Sequence, residues 1–134
     1  MFNGIIYNTG IIKKIQKRNK GINLFLKSDI NLTKKNIGMS ICCDGVCLTL
    51  VSYTNKTLEF FLSNETIIRS KFKECIIGNK VNLELPLKKG QDISGHICQG
   101  HVDTTAELVN KIKQDKAFVF KFKIEKKFKK YLVE

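Results

Sequence analysis

Gly4-Ile-Ile-Tyr-Asn-Thr9-Gly-Ile-Ile12 returns 96 residues later as Gly100-His-Val-Asp-Thr-Thr105-Ala-Glu-Leu108. The correspondence then runs on without a gap. Ile22, Leu24 and Leu26 fall on Phe118, Phe120 and Phe122, Leu32 on Phe128, Lys34 on Lys130 and Ile37 on Val133. Identities are few, so the apolar pattern carries the match. A repeat of this length fixes the architecture before any single element does. The first copy continues past Gly38 into Met39-Ser-Ile-Cys-Cys-Asp-Gly-Val-Cys-Leu-Thr-Leu50, which has no second counterpart. The expected organisation is one domain over residues 1–90, a polar connector over 91–97 and an incomplete second copy over 98–134.

Strand signals dominate the first 62 residues. Ile5, Ile6, Ile11 and Ile12 form a β-rich opening, and Ile22, Leu24 and Leu26 alternate with Asn23, Phe25 and Lys27, as in a strand with one buried face. Asp44-Gly45 separates Ser40–Cys43 from Val46–Val51 as a two-residue hairpin turn, and Asn55-Lys56 marks another turn before Thr57–Leu62. One short helix follows. Ser63 or Asn64 caps it, Glu65 suits its positive end, Ile68, Phe72 and Cys75 or Ile76 line one face, and Gly78 ends it. Val81, Leu83 and Leu85 give a last alternating strand, before the polar Lys88-Lys-Gly-Gln-Asp92. Six short strands and one helix predict an all-β fold, a six-stranded antiparallel Greek-key barrel, because closure removes exposed edges. The second copy supplies an opening strand, Ala117–Ile124 and a basic Lys126–Lys130 segment, the truncated start of a similar barrel.

A net charge of +12 raises the possibility of a basic nucleic-acid-binding small barrel. The kind of charge argues against it. Only Arg18 and Arg69 are arginines, whereas base-edge recognition favours the planar guanidinium and single strands favour interleaved aromatics. A solvated lysine-rich surface is the better account. No apolar run has the length of a membrane span, and Met1-Phe-Asn-Gly-Ile-Ile6 lacks the features of a signal peptide. Five cysteines without a framework spacing predict free thiols and a cytoplasmic location.

Cys43, Cys47, His96, Cys98 and His101 are potential metal ligands, but paired short spacings are missing. An extended segment 96–102 would turn His96 and Cys98 one way and His101 the other, so no metal site is expected. Cys47 and Thr49 share a strand face opposite Val46, Leu48 and Leu50. A thiol beside a hydroxyl can line a ligand pocket, and a thiolate can act as a nucleophile, although small residues in a barrel wall have the same pattern. Ser63-Asn-Glu-Thr66 offers hydroxyls and backbone donors at a helix start, as does any capped helix.

These segments together resemble the riboflavin synthase family, α-chain enzymes with two lumazine-binding barrels. Met1-Phe-Asn-Gly-Ile-Ile6 is similar to the family's M-F-T-G-I-V, and Asp44-Gly-Val-Cys-Leu-Thr-Leu50 to N-G-V-C-L-T-V. Ser63-Asn-Glu-Thr-Ile-Ile-Arg69 is similar to S-x-E-T-L-x-R, and Val81-Asn-Leu-Glu84, Gly95-His96 and Gly100-His-Val-Asp103 to V-N-x-E, G-H and S-G-H-V-D. The chain departs from the pattern at Gln99, Asp44 and Leu85, where serine, asparagine and a basic residue are usual. The resemblance implies a cofactor-free dismutation of two 6,7-dimethyl-8-ribityllumazine molecules into riboflavin and 5-amino-6-ribitylaminopyrimidinedione. Each of two like barrels would hold one ring, within a homotrimer of full-length chains. It implies a first-barrel pocket of Cys47, Leu48, Thr49, Phe61, Leu62, Ser63, Asn64, Glu65 and Thr66, with Gly100, His101 and Val102 reaching back. Gly4, Ile5 and Ile6 would serve the second barrel's ligand, and Ser40, Cys47 and His101 would assist proton transfer or nucleophilic steps. An incomplete second copy would leave edges that a neighbouring chain could pair with, as a homodimer. The alternative within the fold is a non-catalytic lumazine- or flavin-binding protein.

Overall fold

The computed structural model of the chain describes residues 1–90, 93 and 95–132. The expectations for Gln91, Asp92, Val133 and Glu134 lie outside these residues. Turn chemistry sets the first pairings. Asp44 and Gly45 take φ of 48° and 87°, folding β3 (Ser40–Cys43) directly back on β4 (Val46–Thr54). Asn55 and Lys56, at 49° and 62°, do the same between β4 and β5 (Thr57–Ser63). Two central residues with positive φ match the right-handed strand twist, which is why two-residue connections take this form.

Around this meander lie β1 (Asn8–Arg18), β2 (Gly21–Lys27) and β6 (Lys80–Glu84). The strands close as β1-β2-β5-β4-β3-β6, with β6 returning to β1, and every neighbouring pair is antiparallel. β6 lies beside β3 rather than β5, the Greek-key crossover. Alternation fills the interior. Val46, Leu48 and Leu50 from β4, Leu58, Phe60 and Leu62 from β5, and Leu24 and Leu26 from β2 are buried in one core with Ile41 and Leu83. Cys47 and Thr49 lie on the opposite, outer face.

The helix is shorter than its sequence pattern suggests. α1 covers only Asn64–Arg69, capped by Ser63, and a 3-10 turn follows at Lys71–Glu74. Ser70 causes the break. Its backbone is extended, and its hydroxyl donates to Thr66 O at 2.6 Å and accepts from Phe72 N at 3.3 Å. The break resets the helical phase, so Ile67 packs on the core while Ile68 is 71% exposed. Phe72 is buried as expected, whereas Ile76 is exposed. Leu85 is also not part of the last strand, because β6 ends at Glu84 and turns outward into Pro86.

The chain divides into two compact units, Met1–Val102 and Asp103–Glu134. The second holds a hairpin of β7 (Glu107–Gln114) and β8 (Ala117–Lys123), then a 3-10 turn at Lys126–Tyr131. Its seven residue pairs sit 96 positions beyond the seven pairs of β1 with β2, from Ile11 with Lys27 against Glu107 with Lys123 to Arg18 with Gly21 against Gln114 with Ala117. The register shift between Ile12 and Lys14 recurs between Leu108 and Asn110. The repeat is therefore structural down to its β-bulge. No helix among the described residues is long and apolar enough to cross a membrane.

Candidate functional site

Outward positions of β3 and β4 form two cross-strand pairs, Ser40 with Thr49 and Cys42 with Cys47. Opposed residues in an antiparallel ladder project from the same face, so these four side chains form one polar patch on the barrel exterior. β5 borders β4, and Phe61 and Ser63 project outward, alternating with the buried Phe60 and Leu62. Phe61 is 44% exposed. Ser63 Oγ accepts from Thr66 N at 3.2 Å and lies 3.0 Å from Thr66 Oγ1, while Glu65 pairs with Arg69 at 2.6 Å. Asn64 is exposed, and its amide donates to Lys20 O.

A segment from Cys98 to Val102 straps onto this patch. Phe2 and Cys98 exchange backbone hydrogen bonds of 2.8 and 2.9 Å, Cys47 N donates to Gly100 O at 2.8 Å, and Val102 packs against the core. Gly100 has φ +77°, and a Cβ there would meet Cys47 Cβ at 2.8 Å and Cys47 N at 2.9 Å. Only glycine can lie this close to β4. Its repeat partner Gly4 has nearly the same φ, +80°, with nothing within 4 Å of the Cβ position. β7 opens at Glu107, three residues later than β1 does after the offset, because Asn8, Thr9 and Gly10 of β1 are held by pairing with β6, and residues 104–106 have no such strand beside them among the described residues.

Gly4 and Ile6 face Gly100, His101 and Val102 across a cavity of about 460 Å³ that also reaches Cys42 and Glu84. His101 is exposed at its edge, and Ile5 N donates to Asn3 Oδ1. Glu84 is the residue that sequence reasoning passed over. It is 4% exposed, and its Oε1 accepts from Asn3 N at 2.7 Å and Gly4 N at 3.0 Å, fixing the start of the Gly4–Ile6 segment. The signal was present in the family-like Val81-Asn-Leu-Glu84. A second recess of about 550 Å³ lies among Tyr7, Asn8 and Leu85–Lys89 beyond Glu84, and it contains none of the expected site residues.

Leu48 and Leu62 have their side chains inside the barrel. Both are in the barrel core, Leu48 at 4% exposure and Leu62 fully buried, because strand alternation turns them away from the neighbouring Cys47, Thr49, Phe61 and Ser63. They can meet an external ligand through backbone only. Burial, reinforced by the negative charge of Glu84, pushes the Cys42 thiol up to about 11. Among the described residues no three His, Cys, Asp or Glu side chains converge as metal ligands would.

Glu84→Ala leaves the buried Asn3 amide and the more exposed Gly4 amide without their acceptor, and the expected loss of stability is about 1–3 kcal/mol. Glu84→Gln keeps the acceptor oxygen and should recover most of it. Urea unfolding of the two variants checks this.

A small closed barrel with a polar outer face, an adjoining strap and a cavity between them has the form of a ligand-binding module. The family model for the lumazine binding domain matches residues 3–86, and the chain belongs to that family. Riboflavin synthase of Meyerozyma guilliermondii is 33% identical to it over 100% of the chain and 60% of the relative, and that of Saccharomyces cerevisiae 38% identical over 77% and 44%. The chain thus spans less than two thirds of the length of these relatives. LumP, in crystal structures complexed with 6,7-dimethyl-8-(1'-D-ribityl) lumazine and with riboflavin, matches 94% and 99% of this chain and 70% and 72% of that chain. The TM-scores are 0.78 and 0.82, at 27% and 25% identity.

Proposed function

We propose that this chain acts in riboflavin biosynthesis, its first barrel binding one 6,7-dimethyl-8-ribityllumazine on the face of Cys47 and Thr49 beneath the Gly100–Val102 strap. The observation carrying this reading is that strap, whose backbone bond from Cys47 N to Gly100 O holds the glycine-led start of the second copy against the outer face of β4. In the enzyme a second barrel would present a second identical molecule, and a four-carbon unit would pass between them to give riboflavin and 5-amino-6-ribitylaminopyrimidinedione. The protein's part is mainly to hold two rings in a reactive orientation, with no cofactor. Ser40, Cys47 and His101 are the groups assigned to proton transfer from the acidic ring methyl or to nucleophilic assistance. The barrel contact residues are Cys47, Thr49, Phe61, Ser63–Thr66 and Gly100–Val102, with Gly4–Ile6 serving the opposite ring. The full-length assembly in this reading is a cytoplasmic homotrimer. The enzymatic reading is preferred to a purely ring-binding protein because the riboflavin synthases above are more similar in sequence to this chain than LumP is.

Thr49→Val is expected to weaken riboflavin binding about fivefold, the equivalent of one hydrogen bond near 1 kcal/mol. Thr54→Val should leave it unchanged, since Thr54 closes the β4–β5 turn opposite Thr57. Fluorescence titration of both variants tests the assigned face, and equal losses would mean that the ring lies elsewhere.

A further inference from the structure

Cys42 and Cys47 lie directly opposite each other across the β3–β4 ladder. Their neighbours Ile41, Cys43, Val46 and Leu48 all belong to the core, whereas these two thiols sit on the outer face. Cys47 N donates outward to Gly100 O, so Cys42 and Cys47 form a non-hydrogen-bonded site. Such a site brings its Cα atoms to about 4.5 Å, with the side chains closer than in a hydrogen-bonded pair. A disulfide accepts separations of roughly 4.4–6.8 Å. All five cysteines are free thiols, and Cys98, at the start of the strap, is near enough for its charge to act on Cys42.

We propose that Cys42 and Cys47 are an oxidisable pair, which a hydroperoxide converts to a cross-strand disulfide that lowers the affinity of the outer face for its ring ligand. Formation of the bond is independent of the function proposed above, and the change in affinity rests on it. The Cys47 thiolate attacks the peroxide O–O bond, giving a sulfenic acid and releasing one water after protonation. The Cys42 thiol then attacks that sulfur, the S–S bond forms, and a second water leaves. The two sulfurs give up two electrons, which reduce the peroxide. Burial divides the roles. Cys47 is partly exposed and meets the oxidant, while Cys42, 6% exposed and with its thiol raised by burial, resolves the sulfenic acid. The new bond turns Cys47 Sγ toward Cys42 and away from the Thr49 end of the face.

The experiment treats the reduced 134-residue chain with stoichiometric hydrogen peroxide, blocks remaining thiols and cleaves before Asp44, which separates Cys42 and Cys43 from Cys47. The expected result is a Cys42–Cys47 link by tandem mass spectrometry. Cys42→Ser and Cys42→Ala both lose it, and Cys98→Ser retains it. Riboflavin affinity is expected to fall at least about fivefold on oxidation and to return with dithiothreitol. A Cys47–Cys98 link, over-oxidised Cys47 with Cys42 free, or a disulfide without change in riboflavin affinity would each overturn the proposal. Reduced protein that fails to bind riboflavin would sink the functional reading instead, and the peptide map would still decide the pairing.

Discussion

The 134-residue chain is expected to form riboflavin from 6,7-dimethyl-8-ribityllumazine at least about 100-fold more slowly than a chain carrying a complete second barrel. The reaction joins two like molecules, and fixing both in a near-attack geometry is worth effective molarities on the order of 10⁵ M or more. Here the second copy provides a hairpin, not a barrel. Phe118, Phe120 and Phe122, at 50%, 47% and 62% exposure, occupy the positions that Ile22, Leu24 and Leu26 hold in the first copy, where Leu24 and Leu26 are fully buried. Among the described residues one closed barrel and one two-stranded hairpin are formed, and the hairpin alone offers no second barrel face. Steady-state conversion by the two proteins is the measurement. Equal turnover would mean that the first barrel suffices, and the two-barrel mechanism would have to be given up.

Gly100→Val is expected to weaken riboflavin binding at least about 30-fold while leaving the barrel folded. A side chain at φ +77° is strained by about 1 kcal/mol or more, and its Cβ would strike Cys47, adding about 1–3 kcal/mol of overpacking. The strap can escape by lifting off β4, which breaks the bond from Cys47 N and removes Gly100–Val102 from the site. Gly4→Val separates the two costs. Gly4 has nearly the same dihedral but open space around its Cβ, so that variant carries the strain without the collision. Near-native far-ultraviolet circular dichroism with lost binding in Gly100→Val, against a smaller loss in Gly4→Val, is the expected pattern. Equal effects would assign the role to backbone strain rather than docking.

The features legible in the sequence are those encoded locally. Asp44-Gly45 and Asn55-Lys56 carry their own turn geometry, alternation along Val46–Val51 names the inward side chains, and the 96-residue offset foretells the register of β7 with β8. What escaped depends on contacts between distant segments. Glu84 reaches Asn3 across 81 positions, and the Val81-Asn-Leu-Glu84 motif marks the carboxylate without naming the amides it binds. Cys42 gains its neighbours only when β3 pairs with β4 and the strap closes. Ser70 breaks the helix through hydroxyl bonds that compete with the helical ones, a choice that the apolar spacing of Ile68 and Phe72 does not reveal. Leu48 and Leu62 belong to the candidate site as parts of continuous motifs, and the alternation that defines the strands turns both side chains inward.

The central claim is that the first barrel holds a flavin-like ring on its outer face, and quenching of riboflavin fluorescence on titration with the purified, reduced chain tests it most directly. The account predicts saturable quenching with one riboflavin per chain. Undiminished fluorescence in the presence of a chain that melts cooperatively as a folded barrel would contradict it.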